Sequence, residues 1–130
     1  MRDNTKAWIE LAQKDLEAAK ELFKREDLAN VVLFHSQQVV EKCFKAVLEE
    51  NSIKIPKVHS VVKLFTMIKK YLSYKKFVTE DDLNLIDDIY IDSRYPGTYS
   101  ILPSGFPTNK DAKRILQIAE IVYEEIIQLL

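Results

Sequence analysis

Leu28 to Asn51, LANVVLFHSQQVVEKCFKAVLEEN, constrains this chain more than any other stretch. Val31, Val32, Leu33, Phe34, Val39, Val40, Cys43, Phe44, Ala46, Val47 and Leu48 spread around almost the whole circumference of one long helix. A helix with so little solvated face needs other helices on several sides of it. Two polar lines nevertheless run along it. His35, Gln38, Lys42 and Lys45 form one, at steps of three and four, and Gln37, Glu41 and Lys45 form the other. Polar groups inside a buried element must find partners, so these lines are either a site or the helix's wet edge.

The remaining composition supports a helical answer. The 130 residues include only two glycines and four prolines, which leaves few turns and favours long helices over many short strands. A hydrophobic content of 47% with 30% charged residues is enough for one domain, residues 1–130, with a normal core. The lone cysteine, Cys43, lies on the apolar helix and reads as a small buried hydrophobe. No run of about eighteen apolar residues and no signal-type N-terminus is present, so a soluble, cytoplasmic protein is expected, with no membrane partner. A net charge of −1 gives no global field for nucleic acid. Locally the charge is uneven. Nine lysines against Glu41, Glu49 and Glu50 give residues 41–76 a balance of +6, and six acids give residues 79–93 a balance of −6. Two solvated faces attracting each other across a bundle account for that pattern.

In chain order, helical spacing predicts a first helix over about Thr5 to Lys24, with Trp8, Leu11, Ala12, Asp15, Ala19, Leu22 and Phe23 inward. Asp27 is the expected N-cap of the second helix, and the short link makes the pair an antiparallel hairpin. Asn51 suits a left-handed position at its end, and Pro56 excludes helix at Ile55. A third helix is expected from His59 to Leu72, capped by His59 or Ser60. The fourth opens on a capping box at Thr79–Asp82, turns Leu83, Ile86, Tyr90 and Ser93 inward, and stops at Pro96 and Gly97. The fifth starts near Asn109 with Ala112, Ile115, Leu116, Ala119, Val122, Tyr123, Ile126, Ile127 and Leu130 on its apolar face. The fold class is all-α, an antiparallel up-and-down bundle of about five helices.

Chemistry has few places to sit. His35 and His59, the only histidines, lack the spacing of a metal motif, and no glycine-rich phosphate loop exists, so no metal and no cofactor is expected. What remains is Asp92-Ser93-Arg94-Tyr95-Pro96 with Tyr99, an arginine at a helix end followed by an aromatic loop. That arrangement can present a guanidinium to a phosphate. On chemistry alone the favoured reading is that Arg94 caps the helix end and pairs with Asp87, Asp88, Asp92 or Glu41.

Together these residues resemble the HEPN domain family. Trp8, Ala12, Asp15 and Leu16 are similar to its first helix, and Phe34 through Ala46, with the glutamines before Glu41-Lys42 and Lys45, to its second. Pro56 to Ser60 with Leu64 resembles the start of its third helix, and Ser93-Arg94-Tyr95-Pro96 the end of its fourth. The resemblance implies a helical bundle, commonly a homodimer, often acting beside a minimal nucleotidyltransferase. Some members are metal-independent ribonucleases and toxins that carry R-x(4–6)-H. In this chain no histidine follows Arg94; Tyr99 stands near that place, and a phenol with an ordinary pKa of about 10 is a poor base at neutral pH.

The expected function is therefore a non-catalytic dimeric module with no catalytic residue, binding a nucleotide or nucleic-acid phosphate. Arg94 would take the phosphate with Lys42 or Lys45 assisting, and Tyr95 or Tyr99 would stack on a base. The resemblance suggests that some of His35, Gln37, Gln38 and Lys42 face the cleft that holds Arg94; Glu41 and Lys45, an i,i+4 pair able to satisfy each other, complete the candidate ligand-binding set. The alternatives are a ribonuclease toxin with an altered active site, drawing a base from His35, His59 or Tyr99, and a purely structural, antitoxin-like scaffold.

Overall fold

A computed structural model describes residues 1–72, 77–94 and 107–130, and the side chains of all of these except residues 91–94. Its described elements are five α-helices: α1 (Asp3–Leu22), α2 (Ala29–Glu50), α3 (Val61–Ile68), α4 (Glu80–Arg94) and α5 (Asn109–Leu129). Short 3-10 turns at Glu26–Leu28 and Lys69–Tyr71 precede α2 and follow α3. The all-α bundle expected from the sequence is the fold, and α2 is its axis: it packs most extensively on α1, then on α5, α3 and α4.

The near-complete apolar circumference of α2 explains that position. From Cys43 to Leu48 every residue is buried, and Phe44, Leu33 and Leu48 are among the largest side chains fully removed from water. Burying side chains of this size contributes about 1.5–3 kcal/mol each. The α1–α2 hairpin is antiparallel. Arg2 N–H and the Thr5 hydroxyl at the start of α1 donate to Glu50 Oε1, at 2.9 and 3.1 Å, and Asn4 donates to Glu49 at 3.1 Å.

Several helix ends differ from expectation. Asp27 does not cap α2; its carboxylate pairs with the Arg25 guanidinium at 2.7 and 3.1 Å, and a 3-10 turn leads into the helix instead. At the other end Asn51 stays right-handed, with φ −97°, and its amide donates to Val47 O at 2.8 Å. Ser52 takes the left-handed position, φ 57°, and two bonds close the end: Ser52 N–H to Glu49 O and Ile53 N–H to Leu48 O. This is a Schellman ending. α3 is shorter than expected because its last turn tightens into the 3-10 segment; Ser60 is its cap, accepting from Lys63 N–H at 3.2 Å. The Thr79–Asp82 capping box is present, and a second one, Thr108–Asp111, starts α5. On α5, Ile127 is 37% exposed rather than inward, while Ile118 is buried.

Candidate functional site

The second polar line of α2 is buried. Gln37, Glu41 and Lys45, one helical turn apart, are 1%, 3% and 7% exposed. They satisfy one another and reach α3. Glu41 Oε1 accepts from Gln37 Nε2 at 3.2 Å and meets His59 Nδ1 at 3.0 Å, and Glu41 Oε2 accepts from Lys45 Nζ at 3.1 Å. Gln37 Nε2 also donates to the His59 carbonyl at 2.9 Å, and Gln38 Nε2 donates to Gln37 Oε1 at 2.7 Å. The Lys45 ammonium lies 5.6 Å from the centroid of the Trp8 ring, a cation–π distance. The His59 side chain, by contrast, is 64% exposed. A buried carboxylate thus holds a solvent-facing imidazole by one nitrogen.

The first polar line gives a second trio of the same kind. His35 Nδ1 lies 2.8 Å from Asp15 Oδ1, and Lys42 Nζ donates to the other oxygen of Asp15. Asp15 is the one acid within the apolar stripe of α1, and the trio is why it can sit there.

An aromatic row connects the two histidines. The Phe34 ring stands edge-on to His35 at 5.3 Å and stacks with Tyr90 of α4 at 6.5 Å; Tyr90 in turn lies 6.1 Å from the His59 ring. Asp87 fixes that meeting of α3 and α4. Its carboxylate accepts from the Ser60 hydroxyl at 2.6 Å and from Val61 N–H at 2.8 Å, supplying the first turn of α3 with acceptors from another helix. Asp87, Tyr90 and Arg94 are spaced three and four apart, along one side of α4. The Arg94 side chain, Tyr95 and Tyr99 lie outside the described residues.

Of the residues expected at the site, the structure thus brings Glu41 and Lys45 together around His59, and His35 and Lys42 together around Asp15. Lys42 and Lys45 are held in ion pairs with carboxylates, one part-buried and one buried. Gln38 braces Gln37. Asp15, Asp87 and Tyr90 are the members that sequence reasoning did not assign to the site, and His59 entered it only as a candidate base of the ribonuclease alternative. Spacing gave Asp15 as an acid on an apolar face, which was the available signal; the pairing of His59 with Glu41 spans two helices and leaves none.

As a carboxylate, Glu41 only accepts, so the ring hydrogen of a neutral His59 sits on Nδ1 and its Nε2 is a lone pair. The same holds for His35 and Asp15. Such a nitrogen can take up a proton or, once protonated, donate to an oxyanion. Cys43 offers no chemistry, because complete burial pushes its thiol far above the ordinary range. Among the described residues no group of three or more His, Cys, Asp or Glu side chains is placed to hold a metal ion. No described helix is long and apolar enough to cross a membrane.

The HEPN domain family model matches residues 5–129. A Methanocaldococcus jannaschii protein named "Putative toxin MJ1304" is 37% identical over 130 residues, spanning 93% of this chain and 84% of that protein. Among solved structures, "ST0689, an archaeal HEPN homologue" superposes with a TM-score of 0.73 at 26% identity, over the full length of both chains. TT1696 from Thermus thermophilus gives a TM-score of 0.78 at 23% identity, over 99% of this chain and 100% of that one, a likeness of fold.

Proposed function

The chain belongs to the HEPN domain family, and on that premise we propose that it is a toxin-type module that binds the phosphate of a nucleotide or RNA. The site is the face made by His35, Phe34, Tyr90 and His59 together with Arg94, and the protein works as a homodimer beside a minimal nucleotidyltransferase. The observation that carries the reading is the row itself. Two aromatic rings stacked at 6.5 Å are flanked by two carboxylate-bound imidazoles, a single helical turn before Arg94. Aromatic faces accept nucleobases and a guanidinium accepts a phosphate in two bonds. The 37% identical relative carries a toxin's name, which fits an RNA-directed role.

Calorimetry with ATP, GTP and short single-stranded RNA tests it. Binding that Arg94→Ala weakens about tenfold or more is expected, since a charge-assisted contact of about 1.5–3 kcal/mol is removed. No binding of any of the three overturns the reading. Sedimentation at micromolar concentration tests the dimer, and co-purification tests the nucleotidyltransferase partner.

A second reading, RNA cleavage, is favoured by one specific feature. His59 has its Nδ1 engaged by Glu41 and is 64% exposed, which leaves Nε2 positioned as a base in a chain with no histidine after Arg94. RNA cleavage lost in both Arg94→Ala and His59→Ala supports this reading; RNA left intact after long incubation removes it.

A further inference from the structure

Both histidines sit in the same chemical arrangement on unrelated parts of the chain. His35 Nδ1 meets Asp15, whose other oxygen is held by Lys42; His59 Nδ1 meets Glu41, whose other oxygen is held by Lys45. In each trio the lysine already balances the carboxylate, so the trio is neutral for as long as the imidazole is. The carboxylate also fixes the tautomer, placing the ring hydrogen on Nδ1 and a lone pair on Nε2. Neither Nε2 has a hydrogen-bond partner among the described residues.

A phosphate oxygen finds nothing to accept from at such a nitrogen. An imidazole without the carboxylate would be free to offer an Nε2–H while still neutral; these two offer one only after taking a proton. Protonation then does two things at once: it creates the donor, and it moves the trio from neutral to +1. From this geometry we infer that His35 and His59 are proton-gated phosphate contacts, closed to anions while the rings are neutral and open once they are protonated. The inference rests on the phosphate-binding reading above and adds the regulation of that site. The groups that set the gate at His59 are Glu41 and Lys45 of α2 and, from α4, Tyr90 against the ring and Asp87 beside it on Ser60 and Val61. At His35 they are Asp15 of α1 and Lys42 of α2. His59 is the larger contact, since its side chain is 64% exposed and that of His35 is 26% exposed.

Fluorescence anisotropy with a labelled 2′-O-methyl oligouridine, which cannot be cleaved through its 2′ oxygen, tests the gate. The affinity is expected to rise about tenfold or more between about pH 7.5 and about pH 5.5, at constant salt. The salt slope should steepen by about 1.4, at about 0.7 for each added phosphate contact on a single strand. The double variant His35→Phe/His59→Phe, which has no ring nitrogen to protonate, should bind with an affinity that does not change between the two pH values. Wild-type binding that ignores pH, or an equal gain in the double variant, overturns the gate and leaves the phosphate reading standing. No binding at either pH overturns both. Long-range nitrogen-15 NMR provides a second measurement, in which an Nε2–H tautomer at either histidine at neutral pH also overturns the gate.

Discussion

Glu41 and His59, eighteen residues apart in the chain, meet at 3.0 Å, and one is buried while the other faces water. The carboxylate sits between the core and the surface: Gln37 and Lys45 occupy it from its own helix, and the solvent-facing imidazole closes it from the start of α3. Removing only the carboxylate strands the Lys45 ammonium in the bundle. Glu41→Ala should therefore cost about 3–5 kcal/mol in urea unfolding, as breaking one side of a buried pair does. Replacing both partners, Glu41→Leu with Lys45→Met, should recover most of that loss. A Glu41→Ala variant as stable as wild type would show that the pair is not buried in solution.

Asp87 acts between helices. It supplies acceptors to the Ser60 hydroxyl and to Val61 N–H, so α3 begins on a carboxylate carried by α4. Charge-assisted bonds of this kind contribute about 1.5–3 kcal/mol each, and a helix cap about 1 kcal/mol. Asp87→Ala should lower stability by about 2–3 kcal/mol in urea titrations. It should also raise amide exchange at Val61 more than at the centre of α2. Asp87→Asn, which keeps one acceptor oxygen, should recover part of both effects.

The same two contacts mark the limit of what the sequence carries. The all-α bundle and the central place of α2 were legible, because an apolar circumference admits no other environment. So was the Glu41–Lys45 pair, which is local. The Glu41–His59 and Asp87–Ser60 contacts were not, because each joins residues that only the packing of helices brings together. Helix one shows a subtler failure. Its apolar stripe is wide, and spacing alone does not say which edge of it meets α2. Sequence placed Trp8 and Leu11 inward, but Leu11 is 47% exposed, and it lines an open cleft of about 320 Å³ with Asn4, Ala7, Trp8, Glu49 and Ile55. The buried edge is Thr5, Ala12, Leu16 and Ala19. Small residues permit close approach of helix backbones, a preference that a count of large apolar residues overlooks.

That edge makes a prediction. Ala12 and Ala19 are 0% exposed within the core, two turns apart. An added isobutyl group at Ala19 has no space and must displace α1 or its neighbours. Ala19→Leu is expected to lower stability by about 1–3 kcal/mol, the usual cost of overpacking, despite leucine's strong helix propensity. Leu11→Ala, on the exposed edge, should change the urea midpoint little, within about 0.5 kcal/mol. The reverse ranking would place α1 the other way round on the bundle.

Cys43 gives a direct report on the integrity of the axis helix. It is fully buried in apolar surroundings, and burial pushes its thiol far above the ordinary cysteine value. The thiolate is the reactive form, so the native protein should resist a thiol-reactive dye at neutral pH. Labelling should appear only with unfolding, and its urea dependence should follow the loss of helical circular dichroism. Rapid labelling of the native protein would mean that α2 opens locally without global unfolding.

Glu50, at the far end of α2, sets an acid limit on the α1–α2 hairpin. Its carboxylate accepts from Arg2 N–H at 2.9 Å and, less strongly, from the Thr5 hydroxyl at 3.1 Å. The Arg2 N–H first, then Thr5, holds its pKa below the ordinary 4.5. A group whose folded value is depressed binds its proton more readily in the unfolded chain. Its contribution to stability is therefore complete above the unfolded value and is lost as pH falls through the lower, folded one. Glu50→Gln should accordingly be less stable than wild type at neutral pH, and the two should converge as pH falls through the ordinary carboxylate value and then the lower, folded one. Urea midpoints measured at a series of pH values check this. A gap that stays constant into acid would mean that the Arg2 and Thr5 contacts act through the shape of the carboxylate and not through its charge.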